Sequence, residues 1–244
     1  MSNNKSTLRR VLEWGGIAAG AVMVAFGIAA IYMGVDGRST VQSNLGNEFI
    51  VGTPDMTPAE IQKEIPVIVA AQKKIAAARA QAGAEPIDFT PVEAPSCTVA
   101  GDSVDTGSEA RCFAEYLRIH ALGSSNGLTY AQMGRFMATP DAPAIETDFN
   151  GGTSNDEYAL VDEQSGQPVS NGVRNLWVTA TALSSALNLA YTAEQISLFG
   201  IVVGFALLLT GIGLIILAVA VLHRAPARVG AGAKASALET NPAH

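Results

Sequence analysis

The chain has 244 residues, 48% of them hydrophobic and only 15% charged, with a formal net charge of −7. So low a charged fraction is unusual for a soluble domain, and the net acidity argues against nucleic acid as a partner, because phosphate contacts need a basic surface. The apolar residues are bunched rather than spread, which points to a bilayer before it points to a large core.

Residues 1–12 read as a short polar leader with three basic side chains, Lys5, Arg9 and Arg10. From Trp14 to Val35 there is no charged residue. A helix needs about 20 apolar residues to cross the hydrocarbon core, so residues 13–35 are expected to form a first transmembrane helix that continues a turn or two past Asp36. A cleaved signal peptide is the alternative. The apolar run exceeds the usual 7–15 residues of such a peptide, and no small-x-small site follows Tyr32. Gly16, Gly20, Gly27 and Gly34 recur every four or seven residues, a stripe on which backbones can approach closely.

Residues 36–195 carry 20 of the 22 acidic residues and 9 of the 15 basic ones. Early in this segment "GTPDMTPAEI" is a helix start, with Thr57 at the N-cap, Pro58 at N1 and Glu60 at N3 in a capping box. Ile61, Ile65, Ile68 and Ile75 would share a face of this helix. Pro66 is expected to kink or restart it, and Gly83 to stop it. "EPIDFTPVEAPSC" reads as an extended arm. Cys97 and Cys112, an even pair outside a C-x-x-C motif, read as a disulfide of an oxidising compartment. The second cysteine falls on a helix over 108–122 whose face holds Cys112, Tyr116, Ile119 and Leu122, with Phe113 beside it.

Gly123 is expected to end that helix, "SSNG" to turn the chain, and Thr129 with Gln132 to form a capping box opening another helix. Tyr130 and Phe136 would then be buried. The stretch "ATPDAPAIETDFNGGTSNDE" is a polar loop. Its oxygen-bearing residues Asp148, Asn150, Ser154 and Asp156 alternate, but without the glycine and glutamate of an EF-hand. This leaves calcium binding open. "YALVDEQSGQPVSNG" suggests a short strand or hairpin.

The last part of the segment is the most regular. Val173, Leu176, Trp177, Ala180, Leu183, Leu187, Ala190 and Tyr191 follow helical spacing, and no proline separates them from a second charge-free run over 196–222. One helix from about 171 to 222 is expected, about 75 Å long at 1.5 Å per residue. Trp177 would be either a buried anchor under the helices at 58–82 and 108–122 or an interface residue. Gly200, Gly204 and Gly211 repeat the first helix's stripe, and packing of the two membrane helices on each other is the preferred reading over self-association. Residues 223–244 are rich in alanine, glycine and proline and read as a disordered tail.

The basic flanks Lys5, Arg9 and Arg10, and Arg224, Arg228 and Lys234, place both termini in the cytoplasm by the positive-inside rule and residues 36–195 outside. The absence of charge within either apolar run argues against a channel or pump.

Chemistry is harder to find. His120 is the only histidine between the two apolar runs, and zinc or iron sites normally draw on two histidines or on cysteines. His120 therefore reads as a polar residue near a helix C-terminus, suited to the dipole there. No serine-nucleophile elbow or phosphate loop is present. The expected set is no catalytic residue, no metal ligand and no cofactor.

"HALGSSNGLTYAQMGR", then "RNLWVTATALSSALNLAY", then a glycine-studded terminal membrane helix, resembles a family of small actinobacterial two-pass membrane proteins. The shared elements are the His-Ala-Leu turn, Gly127 to Ala131, and the helix entering the membrane. The resemblance implies two membrane helices bracketing an extracytoplasmic segment. A label often attached to the family, aromatic ring-opening dioxygenase, would imply an enzyme. The combined expectation is a mainly α protein of a bacterial plasma membrane, with a mostly helical, acidic, disulfide-tied outer domain. Its role would be that of a structural or accessory protein of the envelope, with the bilayer and a membrane protein or a second copy as partners. An extracytoplasmic enzyme or enzyme subunit is the alternative.

Overall fold

The structure is a computed structural model that describes residues 2–222. It is mainly helical. Four helices, α1 (Ser2–Asn47), α2 (Pro58–Gln81), α3 (Gly107–Ser124) and α4 (Gly172–Leu217), are joined by short 3-10 turns and a two-stranded antiparallel ribbon of β1 (Phe136–Met137) and β2 (Gly152–Thr153). A π-helical turn, Ala218–Leu222, follows α4. The expected tail at 223–244 lies outside the described residues. The chain divides into two compact units. Among the described residues, one comprises the two apolar segments, 2–37 and 196–222, and the other is Arg38–Gln195.

In the apolar unit, α1 and α4 each contain a stretch long and apolar enough to cross a membrane. Helix begins at Ser2, so the polar leader is helical rather than separate, and α1 runs eleven residues past Asp36 to Asn47, further than the turn or two expected. The two stretches pack on each other through their glycines. A methyl group on Gly20 would stand 2.7 Å from the Gly211 carbonyl oxygen, one on Gly27 2.7 Å from that of Gly204, and one on Gly34 2.6 Å from that of Ser197. Both series step by seven residues, in opposite directions along the chain, so the helices are antiparallel with main chain against main chain. Gly16 meets the Ala218 side chain. Gly200 departs from the pattern. The register places Ser197 opposite Gly34, and a side chain at 200 would meet nothing closer than 3.8 Å. Large apolar side chains such as Trp14, Phe26, Phe199 and Leu209 point outward and are exposed. This arrangement suits hydrocarbon rather than water.

In the unit Arg38–Gln195, the isoleucine stripe of α2 is the core. Ile61, Ile65, Ile68 and Ile75 are all buried, each contributing about 1.5–3 kcal/mol by removal from water. Ile61, Ile68 and Ile75 pack with Cys112, Tyr116, Ile119 and Leu122 of α3 and with Trp177 and Ala180 of α4. Glu64 faces His120, Ile68 lies by Gly123, and Gln72 donates to the Gly127 carbonyl. Residue numbers thus rise together, and α2 and α3 run in the same direction. Parallel neighbours need a long return connection. The proline-rich arm supplies it, laying Ile87, Phe89, Val92 and Ala94 against the core on the way to the Cys97–Cys112 disulfide.

Local signals explain most boundaries. Thr57 caps α2 by accepting from the Glu60 amide at 3.2 Å, but the Glu60 carboxylate turns to Lys63 instead of back to the cap, so only half of the expected box forms. Pro66 does not restart α2. It lies on the exposed side, where water can take the carbonyl it leaves unpaired. Gly83, at φ +66°, closes the helix with Ala84 N–H donating to Arg79 and Gly83 N–H to Ala80, a Schellman pattern. A full capping box starts α3, between Thr106 and Glu109.

Helix α3 continues past Gly123 to Ser124. Asn126 and Gly127 take the left-handed conformation instead, and the Gly127 amide donates to the Leu122 carbonyl at 2.7 Å. Gly127 is needed there twice over, because a side chain would also collide with Gln72. The helix expected after Thr129 is only a single 3-10 turn, Tyr130–Gln132. Gln132 Oε1 accepts from the Thr129 amide and hydroxyl. The chain must then straighten, because Gly134 passes directly against the backbone of Gly152 and Thr153.

The hairpin expected in the next stretch exists as isolated bridges, with Leu160 and Val169 joined across a turn at 162–167. Asn171 starts α4. Its side-chain oxygen accepts from the Val173 and Arg174 amides, and its amide nitrogen donates to Gly134.

Candidate functional site

Three polar groups in the unit Arg38–Gln195 are placed by packing rather than by neighbours in sequence. The first is Asp55, Glu64 and His120. Asp55 sits in the tight turn before α2, held by the Thr57 amide donating to its carbonyl at 2.8 Å. Glu64 flanks the isoleucine stripe of α2. His120 flanks Ile119 on α3, so apposition of the two stripes brings their flanks together. Its Nδ1 lies 3.4 Å from Glu64 Oε2 and its Nε2 3.5 Å from Asp55 Oδ2. The imidazole is mostly buried while both carboxylates are close to half exposed. Its Nε2 is buried without a hydrogen-bond partner. The Asp55 carboxyl is held below the usual carboxylate range, first by a hydrogen bond from the Thr53 side chain, then by a backbone bond, with the nearby His120 adding to the effect.

The partners of His120 are therefore two carboxylates from other elements, not the helix end alone. One ligand atom from each of the three residues lies within 4.8 Å of the other two. Sequence spacing could not have revealed this set. The usable signal was positional: Glu64 adjoins Ile65 and His120 adjoins Ile119, so each borders an apolar stripe.

The second group centres on Glu194, which is buried. Its Oε1 accepts from Arg38 Nε at 2.9 Å and Gln42 Nε2 at 3.1 Å, and its Oε2 from the Gly107 amide at 2.6 Å. A single carboxylate thus ties α1 and α4 to the N-terminus of α3, where a negative charge also suits the helix dipole. Glu194→Gln is expected to destabilise this unit by about 1.5–3 kcal/mol, the range for hydrogen bonds to a charged group. A urea titration of the full chain in detergent, followed by tryptophan fluorescence, would measure it, and an unchanged midpoint would remove the clamp.

The third is Asp148, in the loop that left calcium binding open. Its Oδ2 accepts from the Gly134 amide, and its Oδ1 from the Asn150 and Gly152 amides. Asn150 in turn bonds Asn126 and the Ser125 carbonyl. These oxygens brace the loop against the α3 turn, and Arg135 reaches the Ser154 carbonyl. Of the alternating residues, Asp148 serves the backbone, while Asn150 accepts from the Asn126 side chain and Asp156 faces the Arg135 guanidinium.

Other expected residues fall out as follows. Trp177 is 5% exposed, with the Arg118 guanidinium 5.6 Å from its ring centre. Tyr130 is not buried: it is 45% exposed, with the Arg174 guanidinium stacked 3.7 Å from its ring centre. Phe136 is half-buried beside Arg135. Both were displaced by the shortness of the Tyr130–Gln132 turn, which leaves no helix face to bury them.

A groove of about 480 Å³ is lined by Val41, Leu45 and Ile50 on one side and Leu183, Leu187 and Leu189 on the other. Leu189 is exposed, as is Phe49, which precedes Ile50 and takes φ +52°. No family profile, curated protein or solved structure matches this chain.

Proposed function

We propose that the chain is an integral protein of a bacterial plasma membrane, with both termini in the cytoplasm and residues 36–195 outside, and that it serves as a structural or accessory protein of the envelope. The observation that carries this reading is the antiparallel glycine contact of the two apolar helices, with their large side chains turned outward. The disulfide supports an oxidising surrounding for the middle segment, and the basic flanks support the orientation. The resemblance to actinobacterial two-pass proteins belongs to the same proposal.

The apolar groove supports an interaction role, because exposed apolar surface of this kind marks contact sites. Apart from Glu48 and Ile50, just past the end of α1, its walls belong to α1 and α4, the helices that carry the apolar runs. The occupant we assign is therefore a helix of a membrane protein partner lying alongside them.

Two measurements test the reading. A reporter active only outside the membrane should work when fused near Gly152 and fail at His244, and activity at His244 would overturn the two-pass topology. Chemical cross-linking in native membranes should capture a membrane protein, and the double substitution Leu183→Glu with Leu189→Glu should abolish the capture while leaving insertion intact. Capture unaffected by that double substitution would remove the groove from the proposal.

A further inference from the structure

The imidazole of His120 stands between two carboxylates without bonding either one. Its separations of 3.4 and 3.5 Å from Glu64 and Asp55 are well beyond the roughly 2.7–2.9 Å of a charge-assisted hydrogen bond. Its Nε2 is enclosed, and no acceptor serves it. A nitrogen in that position is poorly used as a donor. As a lone-pair ligand it faces a carboxylate held on the far side of the α2 turn.

We propose that Asp55, Glu64 and His120 form a site for a divalent transition metal of the zinc class, with one imidazole nitrogen, two carboxylate oxygens, and the remaining position left to water or to an anionic ligand. Zinc bound at about 2.0–2.2 Å sets tetrahedral ligands roughly 3.3–3.6 Å apart. Asp55 and Nε2 already stand at such a spacing, and all three ligand atoms lie within 4.8 Å of one another. Glu64 lies on the Nδ1 side, but its carboxylate is 43% exposed and can turn toward the ion. The donor set sorts the metals. Imidazole suits zinc, copper, iron and nickel and disfavours magnesium and calcium, which take all-oxygen shells. Two carboxylates balance the charge of a divalent ion. The cysteines offer no competing thiolate, since both are in the disulfide.

The three ligands come from the pre-α2 turn, α2 and α3, so an ion there joins the same helices whose isoleucine and tyrosine stripes form the core. The site is independent of the membrane reading, because every ligand lies within Arg38–Gln195.

The test uses the full chain in detergent, stripped with chelator and titrated with Zn²⁺ by calorimetry and with Co²⁺ by visible absorption. The expected result is one equivalent of Zn²⁺, and Co²⁺ d–d bands of a low-coordinate nitrogen–oxygen site with no thiolate charge-transfer band. His120→Ala should abolish the bands, and Asp55→Asn and Glu64→Gln should each weaken Zn²⁺ binding at least tenfold. A chain with His223→Ala and His244→Ala should bind as before, which separates this site from the terminal histidines. If His120→Ala does not fold, the two carboxamide variants decide the matter alone. Absence of a stoichiometric equivalent, or binding unchanged in Asp55→Asn and Glu64→Gln, would overturn the proposal and leave His120 as a histidine packed between two carboxylates.

Discussion

Trp177→Ala is expected to destabilise the unit Arg38–Gln195 by about 3–5 kcal/mol, the range for truncating a large buried aromatic. The ring is 5% exposed and belongs to the same core cluster as Ile61, Tyr116 and Leu122. Its loss leaves a void that α2 and α3 are poorly placed to fill, because the disulfide holds α3 to the arm and Gln72 ties α2 to the tight turn after α3. The Arg118 guanidinium near the ring would also lose its aromatic face, worth about 0.5–1 kcal/mol at a half-exposed site. Limited proteolysis in membranes should show rapid cleavage within residues 38–195 in the variant. Insertion should be unaffected, because it depends on the separate apolar runs. Cleavage at the wild-type rate would mean that the core does not depend on this ring.

Replacing both cysteines by serine is the second large change. The bridge closes residues 97–112, separated by 15 positions, and a loop of that size is worth about 3 kcal/mol in the chain-entropy treatment. The effect should be local before it is global. Within the loop, Val99 and Val104 are buried and the chain bonds back to residues 50–52. The Tyr116 hydroxyl still donates to the Cys97 carbonyl at 2.6 Å, so the arm keeps one tie to α3. Hydrogen exchange should therefore rise first along residues 84–106 and least along α2. Reductant applied to the wild type should reproduce the same profile. Both cysteines alkylating freely without reductant would mean that the bridge does not form.

What could be read from the chain beforehand tracks how local its cause is. The apolar runs, the isoleucine stripe of α2 and the continuity of α4 each follow from residues a few positions apart, and they stand as expected. The Thr57 box failed by half because Lys63, one turn on, competes for Glu60. The helix after Thr129 failed because a distant segment, Gly152 and Thr153, lies against Gly134 and forces the chain straight. Gly200 matched a motif but missed the contact, since register between two helices is fixed by both partners together. The polar groups were hidden for the same reason. Glu194 and Gly107, and Glu64 and His120, meet only because whole faces meet, and no spacing within one helix records that. The parallel run of α2 and α3 was legible only indirectly, in a connecting arm too long for a simple turn.

Arg38 and Glu194 touch at 2.9 Å but lie 156 residues apart in the chain. A ribosome adding 5–20 residues per second takes about 8–30 s to pass from one to the other. Throughout that interval α1 exists with its glycine face complete and its own partner unmade. The antiparallel contact can form only once Ser197, Gly204 and Gly211 have been made, although its other surface is among the first to be finished. Any other helix with small residues on one face, including α1 of a neighbouring nascent chain, competes for that surface during the delay. The competition ends when α4 arrives, because its effective concentration beside α1 exceeds that of any second chain. A slower passage between residues 34 and 197 would lengthen the time in which such a competing pairing could form.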